Sequence, residues 1–414
     1  MKILFIHQNF PGQFQSLAPA LVRAGHQVMA MTLQKVDPHV WNGVVIVPYT
    51  ANRGSTPNIH PWVTDIETKT IRAEACFRAA LQMKAQGYVP DAIIAHPGWG
   101  ESLYLKEVWP QARLGIYCEY FYHRHGADLD FDPEFPVVDE GEVCRLHLKN
   151  LNYQMHLEIA DAGLCPTAWQ AGTFPAKFQE KITVVHDGID THVVRPNPDV
   201  QMRLDGLTTL TRNDEVITFV NRNLEPLRGY HIFMRALPEV LRRRPEARVL
   251  IVGGDEVSYG VAPGNGVTWK MRYANEVRAM LPTTDWERVY FLGRIEYRHF
   301  LALLQLSSVH VYLTYPFVLS WSLLEAMSAG CAIVASDTAP VREVVEHDIT
   351  GRLVNFFDVS ALADTICQLL EDPQARARLG SQARKFAQGH YDLEAVCLPQ
   401  QLAWFDRWAR TDAK

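Results

Sequence analysis

The sequence lacks the marks of membrane, disulfide-rich and nucleic-acid-binding proteins. No apolar run approaches the about 18 residues that a membrane span needs. The seven cysteines are scattered, and none forms a Cys-x-x-Cys pair, which argues against a disulfide framework or a cysteine zinc site and favours a reducing compartment. Forty Lys and Arg against 46 Asp and Glu leave a net charge of -6, which disfavours general nucleic-acid binding.

The composition that remains is ordinary for a globular protein, with 48% hydrophobic and 21% charged residues. A length of 414 residues suggests two or three domains. The apolar run 2–6 is too short for a signal peptide and leads directly into His7, so it is interpreted as a first strand. We expect a cytoplasmic α/β protein, with peripheral contact at the inner face of the membrane left open.

Short β-branched runs alternate with longer amphipathic stretches in both halves of the chain, which predicts βαβ units and mostly parallel sheets. Strands are predicted at 2–7, 26–32, 44–49, 91–96, 113–120, 162–165, 181–186, 216–221, 248–253, 288–292, 309–314 and 332–336. Helices are predicted at 64–86, 140–159, 360–370, 374–388 and 393–409.

The alternation lapses between Asp187 and Asp214, where a turn signal and Pro196-Asn-Pro198 interrupt it. We therefore predict Rossmann-like domains at 1–190 and 210–390, with a C-terminal helix at 391–414 that packs back on the first. Ligands of such sheets bind beyond the carboxyl ends of the strands. If the two domains face each other, the cleft between them is the expected site for an anionic small molecule.

The first motif follows the first strand and reads His7-Gln-Asn-Phe-Pro-Gly-Gln13. Gly12 near a helix start would let backbone amides approach a phosphate closely. No G-x-G-x-x-G is present, so the dinucleotide-binding fingerprint is absent. A simple tight turn at Pro11-Gly12 is the structural alternative.

The second motif places Arg222 and Arg228 in the segment that leaves the first strand of the second domain. Two guanidinium groups there can bind a diphosphate and neutralise a leaving group without metal. The alternative is a surface arginine paired with Glu225.

The third motif runs from Tyr315 to Asp337: a strand ends, Ser320 and Ser322 open a helix, and Glu325 lies about one turn inside it. Exposed amides at a helix start suit phosphate, and a carboxylate further in can accept hydrogen bonds from two ribose hydroxyls. The alternative for Glu325 is an acid that complements the helix dipole.

These motifs together resemble the family-4 glycosyltransferases, which are retaining sugar transferases of the GT-B fold. The resemblance is carried by four segments: Leu323-Leu-Glu-Ala-Met-Ser-Ala-Gly330, Glu343-Val-Val-Glu-His-Asp-Ile-Thr-Gly351, Arg222 with Arg228-Gly229, and Val184-Val-His-Asp-Gly-Ile-Asp190. The first half resembles a bacterial subgroup, through Gln8-Asn-Phe-Pro-Gly-Gln13, His96-Pro-Gly-Trp-Gly-Glu101 and Phe131-Asp-Pro-Glu-Phe-Pro136.

The resemblance implies a role for each matching residue. Arg222 and Arg228 would hold the donor diphosphate, Glu325 the ribose, and Gly12 would lie close to the transferring sugar. The backbone of the segment that contains Phe317, Leu319, Ser320, Trp321 and Ser322 would meet the phosphates, and Arg294 with Ile295 would flank the nucleobase. Retention is attributed in this family to front-face attack, so the enzyme supplies mainly positioning and charge stabilisation.

Two positions depart from the family pattern. Phe317 stands where the family has the first glutamate of its signature, a residue that contacts the donor sugar. Glu119 or Tyr120 stands near the position of the strand-end histidine that the family uses at the sugar, with His123 just beyond. We expect Glu119 to contact donor or acceptor hydroxyls, with a structural salt bridge as the alternative. His96 ends a strand beside Gly98 and Gly100 and is either a site residue or a satisfied core histidine.

The expected function is transfer of a hexose from a nucleotide-sugar, UDP-linked by preference, to a saccharide or lipid-linked saccharide acceptor in polysaccharide or glycoconjugate synthesis. No cofactor and no essential metal are expected; Asp128-Leu-Asp-Phe-Asp132 could hold a cation but has no glycine after it as a calcium loop would. A nucleotide-sugar epimerase and a non-catalytic nucleotide-sugar-binding protein are the alternatives.

Overall fold

The computed structural model describes residues 1–137, 139–204, 208–264 and 266–410. The chain divides into two compact units: Met1–Gly188 together with Glu394–Lys414, and Ile189–Leu393. The described residues of 191–209, which the sequence prediction left between the two domains, thus belong to the second unit. Of the predicted C-terminal segment, 411–414 lie outside the described residues.

The first unit is an eight-stranded sheet in the order β3-β4-β2-β1-β5-β6-β7-β8, parallel except for the β3–β4 pair. Its strands are β1 Lys2–Ile6, β2 Gln27–Thr32, β3 His39–Trp41, β4 Val44–Pro48, β5 Ala92–Ala95, β6 Arg113–Tyr117, β7 Ala162–Cys165 and β8 Ile182–Val184. Its first six helices are α1 Leu17–Arg23, α2 Thr64–Ala85, α3 Leu105–Val108, α4 Gly141–Ile159, α5 Ala168–Gly172 and α6 Ala176–Gln179.

The first strand shows why this sheet is covered on both faces. Ile3 and Phe5 pack into one apolar cluster, while Leu4 and Ile6 pack into another. Successive side chains of a strand point to opposite faces, so a strand with four consecutive apolar residues after Lys2 needs a layer on each side. The continuous apolar runs of the sequence therefore predict the parallel, two-sided sheet that is observed.

The second unit contains a six-stranded parallel sheet in the order β13-β12-β11-β14-β15-β16 and a two-stranded antiparallel hairpin, β9–β10. The strands are β9 Gln201–Leu204, β10 Thr208–Thr211, β11 Val216–Asn223, β12 Arg248–Gly254, β13 Val289–Gly293, β14 Val309–Tyr312, β15 Ile333–Ser336 and β16 Arg352–Val354. The helices are α7 Tyr230–Arg243, α8 Trp269–Arg278, α9 Thr283–Trp286, α10 Tyr297–Leu306, α11 Trp321–Ser328, α12 Ala339–Arg342, α13 Val359–Glu371 and α14 Pro373–Tyr391.

The last helix, α15 Leu398–Ala409, belongs to the first unit and follows a π-helical turn at Leu393–Cys397. The indole of Trp404 donates a hydrogen bond of 3.0 Å to the carbonyl of Gly163 on β7. Gly115 on β6 has no room for a side chain, because a Cβ there would lie 2.3 Å from the ring of Trp408. None of the helices among the described residues combines the length and apolar character needed to cross a bilayer.

Three differences from the sequence prediction concern strands. The short strands β3 and β16 and the hairpin β9–β10 were not predicted, because short or polar runs carry little periodic signal. The strand predicted at 113–120 ends at Tyr117. Beyond it, the amides of Phe121 and Tyr122 bond to the side chains of Thr173 and Asn150 instead of to a neighbouring strand.

Candidate active site

The sheet of the second unit reverses its winding between β11 and β14. These strands are neighbours, yet the chain runs from β11 to β12 and β13 on one side before it crosses to β14, β15 and β16 on the other. The loops that leave the carboxyl ends of two such strands diverge and leave a crevice, which is where open α/β sheets bind ligands. Arg222 is the second-last residue of β11, and the segment that leads into α11 follows β14.

Arg228 is the central charge of this crevice. It lies in a turn of 3-10 helix, Pro226–Arg228, and is only 6% exposed. Its Nη1 donates to Thr314 Oγ1 at 2.8 Å, to the Val318 carbonyl at 3.0 Å and to the Tyr312 hydroxyl at 3.4 Å. All three acceptors are neutral, and within the described ranges no carboxylate pairs with this guanidinium. A buried charge without a counter-ion favours an anionic ligand.

The alternative in which an arginine pairs with Glu225 is wrong. Glu225 is 1% exposed, and its carboxylate accepts hydrogen bonds from the backbone amides of Ser258, Tyr259 and Gly260, each at 3.3 Å. This contact anchors the segment after β12 to the end of β11. Glu225 therefore neutralises neither Arg222 nor Arg228.

Arg222 is exposed and, across the part of the chain that the structure describes, forms no hydrogen bond or ion pair. It lies on β11, whose last residue, Asn223, is buried. An exposed arginine near the end of β11 is free to bind a phosphate group from the solvent side.

The start of α11 is tied to Arg228 through one tyrosine. The Tyr312 hydroxyl that faces Arg228 also accepts a hydrogen bond of 2.9 Å from the amide of Ser320. Ser320 is the N-cap residue, and its hydroxyl accepts from the amide of Ser322 at 3.3 Å. The positive end of the helix dipole and the buried guanidinium are thus held in one network.

Not every predicted residue of this segment offers its side chain to a ligand. Phe317 and Leu319 are 2% and 5% exposed, and Leu319 packs in the core. The prediction of a binding contact there is therefore limited to backbone atoms. Trp321 is half-buried and packs against the same core.

Phe317 packs beside Arg228 and not in the open crevice. Its ring centroid lies 4.9 Å from that of Tyr259 and 5.8 Å from the Arg228 guanidinium carbon. The aromatic residue that replaces the family glutamate thus helps to form the wall around the buried cation.

Glu325 lies half-buried on α11 and accepts a hydrogen bond of 2.7 Å from the hydroxyl of Tyr297, the first residue of α10. Burial raises the pKa of the Glu325 carboxyl, and the bond from Tyr297 opposes that rise. Because the bond crosses between two helices, it fixes the direction of the carboxylate. The dipole-complementing alternative does not account for this contact.

Arg294 follows β13 and reaches the end of β11. Its Nη2 donates to Asn223 Oδ1 at 3.2 Å and also pairs with Glu256. Gly254 lies under this contact, since a Cβ there would be 2.8 Å from Arg294 Nε. Ile295 is half-buried and packs against the core.

The sheet of the first unit has its own reversal, between β1 and β5. His7 follows β1 and His96 follows β5, and their ring centroids are 5.4 Å apart. Gly12 lies against His7: at φ +47° its backbone suits glycine, and a Cβ would be 2.3 Å from the imidazole. Gly12 is therefore required by close packing on His7 and not only by a turn.

His96 is completely buried and lies between the rings of Trp99 and Tyr117, with centroid distances of 4.5 Å and 5.3 Å. Burial lowers the pKa of its imidazole well below the ordinary value, so the ring is neutral. Nδ1 accepts from the Gly98 amide at 3.2 Å, which leaves the proton on Nε2. That Nε2 has no hydrogen-bond acceptor among the described residues and lies 3.7 Å from Glu119 Oε2.

Glu119 lies two residues beyond β6, with its side chain 36% exposed. The side-chain nitrogen of Gln13, Nε2, lies 3.4 Å from Glu119 Oε1. The side-chain oxygen of Gln13, Oε1, lies 2.9 Å from His7 Nε2. Because His96 is neutral, its contact with Glu119 is not an ion pair. Gln13 donates to this carboxylate at 3.4 Å, and the neutral His96 ring lies 3.7 Å from it without a hydrogen bond.

The acidic run 128–132 is accounted for by local contacts. Asp128 accepts from the Tyr120 hydroxyl at 3.0 Å, Asp130 from the amide of Val137 at 3.3 Å, and Asp132 from the amide of Glu134 at 2.9 Å. In the described ranges no three His, Cys, Asp or Glu side chains gather as metal ligands would.

Sequence reasoning missed three residues of these sites: His7, Gln13 and Tyr297. His7 and Gln13 begin and end the motif that follows the first strand, so their position beyond a strand could have marked them as site residues. Tyr297 had none, since its partner is 28 residues away.

A fourth residue to which the sequence analysis gave no role is Glu101, at the end of the motif that begins at His96. It is fully buried, with neither carboxylate oxygen hydrogen-bonded to any described residue. It lies in the same segment as His96. Burial raises its pKa to about 7.

In a comparison with known proteins, each half of the chain matches a protein-family model. Residues 24–194 match the model described as Glycosyl transferase family 4 group, and residues 208–386 match the model described as Glycosyl transferases group 1. Each half of the chain is thus similar to a glycosyltransferase family. The GT-B fold predicted from the sequence is confirmed, whereas the narrower bacterial subgroup stays a prediction.

Two curated relatives show how far the likeness extends. The chain is 28% identical over 183 residues to a GDP-mannose-dependent monoacylated alpha-(1-6)-phosphatidylinositol monomannoside mannosyltransferase of Corynebacterium glutamicum, covering 42% of this chain and 43% of that protein. It is 32% identical over 191 residues to a phosphatidyl-myo-inositol mannosyltransferase of Mycolicibacterium smegmatis, covering 45% and 43%. The chain therefore spans about half the length of the curated relatives that it matches.

Two solved structures share the fold over nearly the whole chain. Sucrose-phosphate synthase from Thermosynechococcus elongatus superposes with a TM-score of 0.72 at 19% identity, covering 99% of this chain and all of that one. HepE of Anabaena, solved in complex with UDP and glucose, superposes with a TM-score of 0.66 at 18% identity, covering 97% and 98%.

Proposed function

We propose that the protein transfers a hexose from a UDP-linked sugar to an acceptor hydroxyl with retention of anomeric configuration. The observation that carries this proposal is the buried Arg228, whose guanidinium meets only neutral acceptors within the described ranges and is tied through Tyr312 to the start of α11. A diphosphate supplies the negative charge that this place lacks.

The donor diphosphate would bind between Arg228, Arg222 and the first amides of α11. As the bond between the anomeric carbon and the diphosphate breaks, negative charge grows on the leaving phosphate oxygens. Preorganised guanidinium groups and a helix dipole stabilise that charge more than they stabilise the intact donor, which lowers the barrier. In this scheme the charge stabilisation needs no metal ion.

We assign Glu119 of the first unit to contact with hydroxyls of the donor sugar or of the acceptor. Gln13 and His96 face its two oxygens, so the carboxylate can accept hydrogen bonds from sugar hydroxyls without losing its orientation. Gly12 packs against the His7 ring at this edge. Phe317 leaves no carboxylate in the loop before α11, so recognition of hydroxyls falls to Glu119.

The choice of UDP over other nucleotides is supported by a solved structure of the same fold. HepE, which shares the fold, was solved with UDP and glucose. The Corynebacterium relative is named for its use of GDP-mannose. The acceptor is proposed to be a saccharide or a lipid-linked saccharide, which fits polysaccharide or glycoconjugate synthesis.

A calorimetric screen of UDP-, GDP- and ADP-sugars tests the proposal. We expect one of these donors to bind the wild type, and Arg228→Met to weaken its binding by about a hundredfold through the loss of charge-assisted hydrogen bonds. Arg242→Ala is the matched control, because Arg242 is an exposed arginine of the same unit that pairs with Glu239. Failure of the wild type to bind any of the three, or equal binding by Arg228→Met, would refute the diphosphate site.

Product analysis by NMR then separates the possible reactions. Retained configuration in a glycoside, or in the sugar released by slow donor hydrolysis, supports the proposed transferase. An epimerised nucleotide-sugar would point to an epimerase, and binding without turnover to a non-catalytic binding protein.

A further inference from the structure

We infer that Tyr297 positions Glu325 to read the ribose hydroxyls, so that the protein selects ribonucleotides over deoxyribonucleotides. The inference deepens the proposed function and rests on it, because it places the ribose of the donor at Glu325. It concerns a tyrosine at the start of α10 that no sequence motif marks.

The contact itself is short and crosses between elements. The Tyr297 hydroxyl donates to Glu325 Oε1 at 2.7 Å, from the first residue of α10 to the second turn of α11. A carboxylate on a helix has several accessible rotamers, and one hydrogen bond from a different helix selects among them. Glu325 thereby acquires a fixed direction before any ligand binds.

The chemistry of the pair suits vicinal hydroxyls. Tyr297 occupies one acceptor position on Oε1, which leaves the remaining lone pairs of the carboxylate for hydroxyl donors. Hydrogen bonds from a hydroxyl to a carboxylate are among the stronger kinds, and the half-buried location of Glu325 strengthens them further. A ligand that lacks one hydroxyl leaves an acceptor unsatisfied, which is how a polar site rejects a deoxy analogue.

The environment of the tyrosine supports this role. Its ring is anchored against Phe300, the centroids being 5.8 Å apart, although the residue as a whole is 54% exposed. The pKa of its hydroxyl is raised by burial and by the Glu325 charge, so the hydroxyl keeps its proton and remains a donor. A phenylalanine would keep the ring contact and remove only the donor.

The test compares nucleoside diphosphates with their deoxy forms by calorimetry. UDP, GDP and ADP are titrated beside the 2′-deoxy and 3′-deoxy forms of whichever binds. We expect the wild type to prefer the ribose form by about tenfold or more. Tyr297→Phe should narrow that preference to the level of Glu325→Gln, while affinity for the deoxy form stays the same. Tyr290→Phe, which removes another tyrosine hydroxyl of the unit, is the matched control.

Each outcome decides the inference. Equal affinity of the wild type for ribose and deoxyribose forms, or an unchanged preference in Tyr297→Phe, would overturn it while leaving the diphosphate site intact. A Tyr297→Phe protein that loses affinity for both forms equally would show a merely structural link between α10 and α11. A wild type that binds no nucleotide would refute the proposed function itself.

Discussion

Glu101 offers a prediction whose size follows from its surroundings. The side chain is fully buried, and neither oxygen has a hydrogen-bond partner among the described residues. Burial raises its pKa from 4.5 to about 7, and the charge of Arg72 only partly opposes the shift. Glu101→Gln keeps the shape of the side chain and removes its titration.

The sign of the effect follows from proton binding. Between pH 4.5 and 7 the folded chain holds a proton at Glu101 that the unfolded chain has released, so the free energy of unfolding falls as pH rises. The contribution is complete below pH 4.5 and lost above pH 7, and the shift corresponds to about 3 kcal/mol. Glu101→Gln should therefore gain about 3 kcal/mol of stability relative to wild type between pH 4.5 and 8.

Urea unfolding of both proteins across this pH range measures the difference. The predicted curve is a stability gap that grows with pH and then levels off. A gap that stays constant would mean that Glu101 titrates normally and has partners in solution, which would refute the reasoning. Glu158→Gln, at an exposed residue of the same unit, corrects for general loss of charge.

Two further predictions concern the first unit. In thermal unfolding, Gly12→Ala should destabilise the protein by about 1–3 kcal/mol more than Gly25→Ala. Both glycines have positive φ, but only at Gly12 would the new Cβ meet a side chain, the His7 ring at 2.3 Å. Equal losses of stability in the two variants would contradict the close packing. Glu119→Gln should leave UDP affinity unchanged and lower turnover of the donor by about a hundredfold. The reason is that the carboxylate would act on the sugar and not on the nucleotide. Unchanged turnover would show that Glu119 is not part of the site.

The sequence predicted the strands well where buried residues follow one another along the chain. Continuous apolar runs such as 2–6 and 162–165 can be read as parallel strands because both faces of the sheet are covered. The strand predicted at 113–120 was too long, because the chain stays largely apolar after Tyr117 although the strand ends there. The Phe121 amide, for example, donates to the side chain of Thr173 instead of to a neighbouring strand. The hairpin β9–β10 is polar and gave no period to detect.

The candidate sites were predictable only in part for a related reason. A residue that follows a strand, such as Arg222 or His96, can be assigned to a sheet edge from the sequence alone. The partner of a side chain cannot, because it is set by tertiary packing. Glu225 bonds to amides 33–35 residues away, and Tyr297 bonds to Glu325 on another helix.

The central claim is that a diphosphate binds at Arg228 and the start of α11. A crystal of this chain soaked with UDP-glucose tests it most directly. The account predicts phosphate density within hydrogen-bond distance of the Arg228 guanidinium and the Ser322 amide. Well-defined nucleotide density at any other place on the second unit would contradict it.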